Sequence, residues 1–538
     1  MYFHIYMERN KTSIPYAETG YFSKTVLDYL NGVKELESFY SIPPKETQLK
    51  SLIDQRLKYA TNRNKLAEAL IASYGDIEIT KQVKENIEKL KLQNTLTITT
   101  AHQPNIFTGP LYFIYKILHA IRLSAYCSQK FPEFNFVPVY FMGSEDADLD
   151  ELGHIFINGE KLEWKTTQTG AVGRMRVDEE LLGLIKRIEA EVNVQPYGAE
   201  IMNTMRRCYT LGKRIQDATL QLVNDLFGRF GLVVLIPDNP ILKTISVDLF
   251  KEELLHQSSS KLVEETAKSL TDKGYKAQTH GRDINLFYLM DSSRSRIERD
   301  GEVWKVIDST IRFNQQELLE ELKNHPERFS PNVILRGVFQ EMILPNIIFI
   351  GGGGELAYWL ELKAVFNNFQ IPYPMLVLRN SFLLIFEEQQ SLLSKTGFSE
   401  IEVFRNTRSL QNEWIAKNSE KDFKIDKGLS DINKVYEALS LQAGTIDKTL
   451  ETHVAALNKK ATDKLTQLGK KFLRAEKRNH ADAMRQIEKL RQQLFPFDSL
   501  QERIDNIMPY YSKHGTELID LLYQHSNTLE QDFVVLSK

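Results

Sequence analysis

Five short apolar, partly β-branched runs with helical patterns between them constrain this chain more than any other feature. LTITTAH ends at His102, FNFVPVYFMG at Gly143, LVVLIP at Pro237, NIIFIGGGG at Gly354 and MLVLR at Arg379. GPLYFIYKILHAIRLSAY separates the first two runs and ELAYWLELKAVFNNF the last two, while PILKTISVDLFKEELL follows the third, each with apolar residues at helical spacing. Strands that alternate with helices predict an α/β protein with a parallel sheet and crossover helices. Ligands of open α/β sheets bind beyond the carboxyl ends of the strands, so the residues after these runs are the first place to seek a site. The stretches near 160–230 and 258–330 read as insertions into this core.

Beyond about residue 385 the strand signals stop. Apolar or small residues from Ile432 to Ala475 recur in steps of 3 or 4, and Leu439, Leu450, Ala461 and Phe472 mark an 11-residue repeat. The pattern predicts one helix of about 43 residues, roughly 65 Å long at 1.5 Å per residue. Such a stripe needs a partner helix in the same chain or in a second subunit, and a homodimer joined wholly or partly through the coiled coil is expected. The domains expected are a core over 1–385, a coiled coil over 386–495 and a segment over 496–538 that packs back on one of them.

The 538 residues carry 68 Lys or Arg against 71 Asp or Glu, so no global field favours nucleic acid or an anionic membrane, and neither is expected as a partner. Eleven basic against four acidic residues between Ala456 and Leu494 read as a solvated helical face. Cys127 and Cys208 form no C-x-x-C pair and are not expected to be nucleophiles; a reducing, cytoplasmic setting fits them. The opening MYFHIYMERNKTSIPY has no basic region followed by an apolar run, and no stretch is long and apolar enough to span a membrane.

Three constellations follow the strands. In AHQPNIFTGPLYFIYK, His102 and Gln103 precede Thr108-Gly109-Pro110, which reads as a helix start with Thr108 or Gly109 as N-cap and a place for an anion, with Lys116 further in. In GSEDADLDEL, Glu145, Asp146 and Asp148 are suited to an amine, a proton or a nucleotide-bound cation; Glu151 stands where a calcium loop needs glycine. In HPERFSPNVILRGVFQEMILPNIIFIGGGGELAYWLELK, the glycines allow close approach of a ligand, and His325, Arg328 and Arg336 are donors for carboxylate or phosphate. No G-x-G-x-x-G, P-loop, G-x-S-x-G or H-E-x-x-H occurs, and no metal is expected.

Taken together, Q-x-x-x-x-TGPLY-x-I-x-K, GxEDxDLDE and HPERFSxN followed by QE, LP and GxGE-x-x-YW-x-ELK resemble the bacillithiol-biosynthesis cysteine ligase family, BshC, over essentially the whole chain. The resemblance implies a Rossmann-like core with connecting insertions and an antiparallel coiled coil, similar to class I aminoacyl-tRNA synthetases. It implies a ligase that joins cysteine through its carboxyl group to the amine of glucosaminyl-malate. His102, Asp146 and Asp148 are then the expected catalytic residues, with Asp148 as base and His102 as transition-state stabiliser. The expected substrate-binding residues are Gln103, Asn105, Thr108, Gly109, Tyr112, Lys116, Glu145, Arg328, Arg336, Gln340, Glu355, Tyr358 and Trp359. The malate carboxylates are expected at the helix start near Thr108, with Arg328 or Arg336. The synthetase motifs H-x-G-H and K-M-S-K-S have no full match here, so ATP or ADP as cofactor stays open, and the second reading is a nucleotide-binding scaffold that has lost the chemistry.

Overall fold

The computed structural model describes residues 10–279, 281–421 and 424–537; the sequence reading of residues 1–9 lies outside them. The chain divides into two units, one up to Leu383 and again from Leu500 to Leu536, the other from Leu384 to Ser499.

All five expected strands form: β1 (Thr95–His102), β2 (Asn135–Met142), β3 (Val233–Leu235), β4 (Asn346–Gly351) and β5 (Met375–Leu378). They make one parallel sheet in the order β5-β4-β1-β2-β3. In-register pairing from Thr95 with Asn135 to His102 with Met142, and from Ile348 with Met375 to Gly351 with Leu378, brings the carboxyl ends to one edge. The chain moves outward from β1 to β3 on one side, then returns to lay β4 and β5 on the other. The switch point therefore lies between β1 and β4, the place where open α/β sheets form their ligand crevice.

Helices cover both faces of the sheet, and this is why the strands are apolar throughout rather than alternating. Helix α1 (Tyr112–Lys130) carries the crossover from β1 to β2, with Ala120, Leu123 and Cys127 packed among Leu96, Ile98, Ile348, Ile350 and Val377. Helix α2 (Val333–Ile343) leads into β4, and α3 (Gly353–Trp359) leaves it. The insertion near 160–230 is mostly helical, with helices at Glu179–Val192, Gly198–Cys208 and Ile215–Phe227. The insertion near 258–330 holds five antiparallel strands between Leu286 and Pro331, which the sequence reading did not anticipate. Its signal was the alternation around Asp300-Gly301, a hairpin turn between RSRIE and VWKV.

In the second unit the expected 43-residue helix is broken. Helix α4 (Asp426–Ile446) stops, and α5 (Thr449–Asn479) runs back along it, with Asn458 donating to Asn433 at 3.0 Å and Gly469 lying against Ile425. Asp447 makes the turn, its carboxylate accepting the Thr449 N–H at 2.8 Å and the Thr449 hydroxyl at 2.8 Å. The apolar stripe thus finds its partner helix in its own continuation. Helix α6 (Ala481–Leu494) buries Ile487, Leu490 and Leu494.

Candidate active site

The turn after β1 differs from the expected helix start. Helix α1 begins at Tyr112, and Thr108 closes a short 3-10 turn, so neither Thr108 nor Gly109 is its N-cap. Phe107 (φ 51°) and Thr108 (φ 74°) are left-handed, a strained state for a β-branched residue, and Gly109 (φ 63°, ψ −148°) takes a conformation that glycine alone tolerates. A Cβ on Gly109 would come within 2.8 Å of the Asn105 Cβ. The surroundings hold the strain in place: Asn506 Nδ2 donates to the carbonyls of Phe107 (2.9 Å) and Gly109 (2.6 Å), and the Tyr209 hydroxyl accepts the Phe107 N–H (3.1 Å). The Leu111 and Phe113 amides are engaged by the carbonyls of Asp505 and Pro110, so this turn does not present the row of free amides that the anion reading required. Asn105 is buried with its Oδ1 unpartnered.

At the switch point the side chains of three strand ends meet. His102 closes β1, its ring against Tyr112 (5.2 Å between centroids) and Phe113 (5.4 Å), and its Nε2 is buried without a partner. Burial, then the charges of Lys116 and Arg379, hold its pKa well below the usual histidine range, so the imidazole is neutral at physiological pH. Lys116 is buried and donates to the Ala101 carbonyl (2.8 Å) and to Glu355. Glu355, in the first turn of α3, also accepts the Gly352 N–H at 2.7 Å. Arg379, directly after β5, lies over Tyr112 at 5.1 Å and donates to Glu502 at 2.6 Å. Burial, opposed in part by the Arg379 charge, pushes the Tyr112 hydroxyl up to about 12.

The loop after β2 is organised by ion pairs. Asp146 takes a two-pronged contact from Arg336, with Nη1 donating to Oδ2 at 2.8 Å, and Arg294 Nη1 stands 3.8 Å away. Burial pushes the Asp146 carboxyl up, but Arg336, Arg294 and Gln103 outweigh it and hold the group below the ordinary carboxylate range. Arg336 keeps 22% of its side chain exposed, enough to meet a ligand. At Gly143 a Cβ would lie 3.3 Å from the Gln103 Cγ and 3.5 Å from Arg336 Nη1, so a side chain there would press on Gln103 by a few tenths of an ångström.

Several expected site residues have other duties. Glu145 is sealed in an ion pair with the fully buried Lys243 at 2.5 Å and cannot face a substrate amine. Asp146 is paired with cations and ill suited to accept a proton; it orients Arg336. Asp148, the expected base, is exposed and caps the short helix Leu149–Leu152 by accepting the Glu151 N–H at 3.4 Å. Arg328 pairs with Glu321 on the antiparallel insertion, and His325 with Glu327. Gln340 donates to Glu341 in a buried network with Asn346, and Trp359 is core, stacked on Phe349 at 4.2 Å. Tyr358 lies within electrostatic reach of Arg336, Glu355 and Asp146 and belongs with the cluster. Arg379, Arg294, Lys243, Glu502 and Asn506 went unrecognised. Arg379 had a signal, since it ends the fifth strand run; Glu502 and Asn506 had none, because only the fold brings them to the first strand. Among the described residues no group of three or more His, Cys, Asp or Glu is placed to hold a metal.

A doubly wound parallel sheet with His102, Lys116 and Arg379 together at the switch point, and Arg336 beside the loop after β2, defines an α/β protein of the Rossmann type. Residues 7–380 match the family domain described as "Bacillithiol biosynthesis BshC, N-terminal Rossmann-like domain" and residues 382–538 its C-terminal coiled-coil domain, so the chain belongs to the BshC family. It is 38% identical over 526 residues to a protein of Flavobacterium johnsoniae, covering 97% of this chain and 99% of that one. A Christiangramia forsetii protein is 37% identical over 534 residues, covering 97% and 98%. Both relatives bear the name "Putative cysteine ligase BshC".

Proposed function

We propose that the crevice at the switch point binds glucosaminyl-malate and that the chain joins the carboxyl group of cysteine to the sugar amine as an amide, yielding bacillithiol. The observation that carries this reading is a pair of oriented guanidinium groups at the carboxyl ends of the strands, Arg379 directly after β5 and Arg336 beside the loop after β2. Malate brings two carboxylates, and guanidinium groups already oriented by Asp146 and Glu502 bind them without further ordering. His102, neutral and with Nε2 unpartnered, suits donation to oxygen charge that develops at the acyl carbon; its depressed pKa makes it a poor base.

Amide formation at neutral pH needs an activated carboxyl group. In the glycine turn the Gly352 N–H and Lys116 are both engaged by the Glu355 carboxylate, so neither is offered to a phosphate in this arrangement. Deleting the gene and measuring thiols by mass spectrometry tests the proposal. Glucosaminyl-malate is expected to accumulate while bacillithiol disappears; bacillithiol that persists with no accumulation overturns it.

A further inference from the structure

Residues 501–506 return to the sheet after the 384–499 unit and meet the crevice from behind. Glu502 is fully buried there. Its Oε1 accepts from Arg379 Nη2 (2.6 Å) and the Ser381 hydroxyl (3.2 Å), and its Oε2 from the Phe382 N–H (3.3 Å). Arg379 Nη1 donates to the Asn380 carbonyl (2.9 Å) and to Ser381 Oγ (3.2 Å). Three contacts thus hold the outer nitrogens of the guanidinium, whose face covers Tyr112. Its Nε makes no hydrogen bond within the described protein, and a Cβ built on Gly352 would stand only 3.6 Å from it. A pair serving stability alone would have no need of an unmatched donor edge beside a glycine at the switch point.

We infer that Glu502 is a positioning residue: it holds Arg379 so that the Nε edge faces the Gly352 turn and receives a carboxylate of the bound substrate. This rests on the reading of the crevice as a glucosaminyl-malate site. The segment after residue 500 is then part of the site itself, although it lies more than a hundred residues beyond the last strand of the sheet. Asn506, which clamps the Phe107–Gly109 turn, supports the other wall from the same segment.

Calorimetric titration of the full-length protein with glucosaminyl-malate and with its uncharged malate dimethyl ester tests the assignment. Glu502→Gln is expected to weaken glucosaminyl-malate binding about tenfold or more while ester affinity stays within about twofold. In Arg379→Gln with Glu502→Gln, the loss should not exceed that of Arg379→Gln alone, since the two residues act through one contact. Glu502→Gln that binds glucosaminyl-malate as wild type does, or loses both ligands equally, overturns the assignment. Should that variant fail to fold, Glu502→Asp keeps the charge but retracts it, and is expected to lower affinity for the charged ligand alone by about threefold; unchanged affinity overturns the assignment equally. Arg336→Ala is the control: if wild type and Arg336→Ala bind glucosaminyl-malate alike, the crevice reading fails, whereas weakened Arg336→Ala beside normal Glu502→Gln removes Glu502 only.

Discussion

Glu341 is fully buried beneath the sheet, where Oε1 accepts from Gln340 (2.9 Å) and Asn346 (2.8 Å) while Oε2 has no partner. Burial, opposed by Arg56, pushes its carboxyl up to about 7. The fold therefore favours the protonated form. That stability is fully present below the ordinary carboxylate range and is lost as pH rises towards and through 7. Glu341→Gln should be more stable than wild type at pH 8 by up to about 3 kcal/mol, since each tenfold difference in proton affinity between folded and unfolded chains is worth roughly 1.4 kcal/mol. The gap should narrow at pH 5, and urea denaturation at both pH values checks this. The thiols are a second case. Cys127 and Cys208 are buried, and burial pushes the Cys127 thiol up to about 12 and that of Cys208 higher still, so both stay protonated and unreactive. Cys127→Ala with Cys208→Ser is expected to retain bacillithiol formation in cells; loss beyond about tenfold with the fold intact would reveal covalent catalysis. At this scale sequence patterns are weakest: Trp359 and Glu145 have the chemistry of ligand contacts, yet packing against Phe349 and pairing with Lys243 take them out of reach.

Elements were legible where periodicity decides. Five strand runs gave five strands, because a strand covered on both faces is apolar at every position. Boundaries set by single polar contacts were not. The 3.6-residue period runs through Asp447 undisturbed, and only the carboxylate bonded to Thr449 shows that the helix ends there. The start of α1 was misjudged for the opposite reason: Thr-Gly-Pro carries a capping signature, but Asn506 draws Thr108 and Gly109 into positive φ. Gly109→Ala tests that reversal. Its Cβ would meet Asn105 at 2.8 Å in a backbone state closed to alanine, so a loss of about 2 kcal/mol or more is expected in thermal unfolding. A destabilisation under about 0.5 kcal/mol would show that the turn relaxes freely.

For the whole molecule the open matter is assembly. The α4–α5 hairpin satisfies only part of its stripe, leaving Leu441 76% and Ile446 74% exposed near the turn and Leu450, Leu457 and Phe472 around 40%. An apolar strip of this kind is an association surface, so we expect a homodimer through the hairpin. Light scattering at micromolar concentration should report a dimer, and Leu450→Asp with Leu457→Asp should give a monomer; a dimer that survives both changes joins elsewhere.

The pairing of the strand Asn10–Pro15 with Asp532–Ser537 bears on how the chain is made. During synthesis all five strands of the parallel sheet have been translated by residue 378, yet the Phe107–Gly109 turn waits for Asn506 and the early strand waits for a neighbour more than five hundred residues behind it. Contacts that distant in sequence are slow to form, and an unpaired strand edge is prone to find another nascent chain first. The contacts of Asn506 and of the Asp532–Ser537 strand can therefore form only after the whole 384–499 unit has been translated.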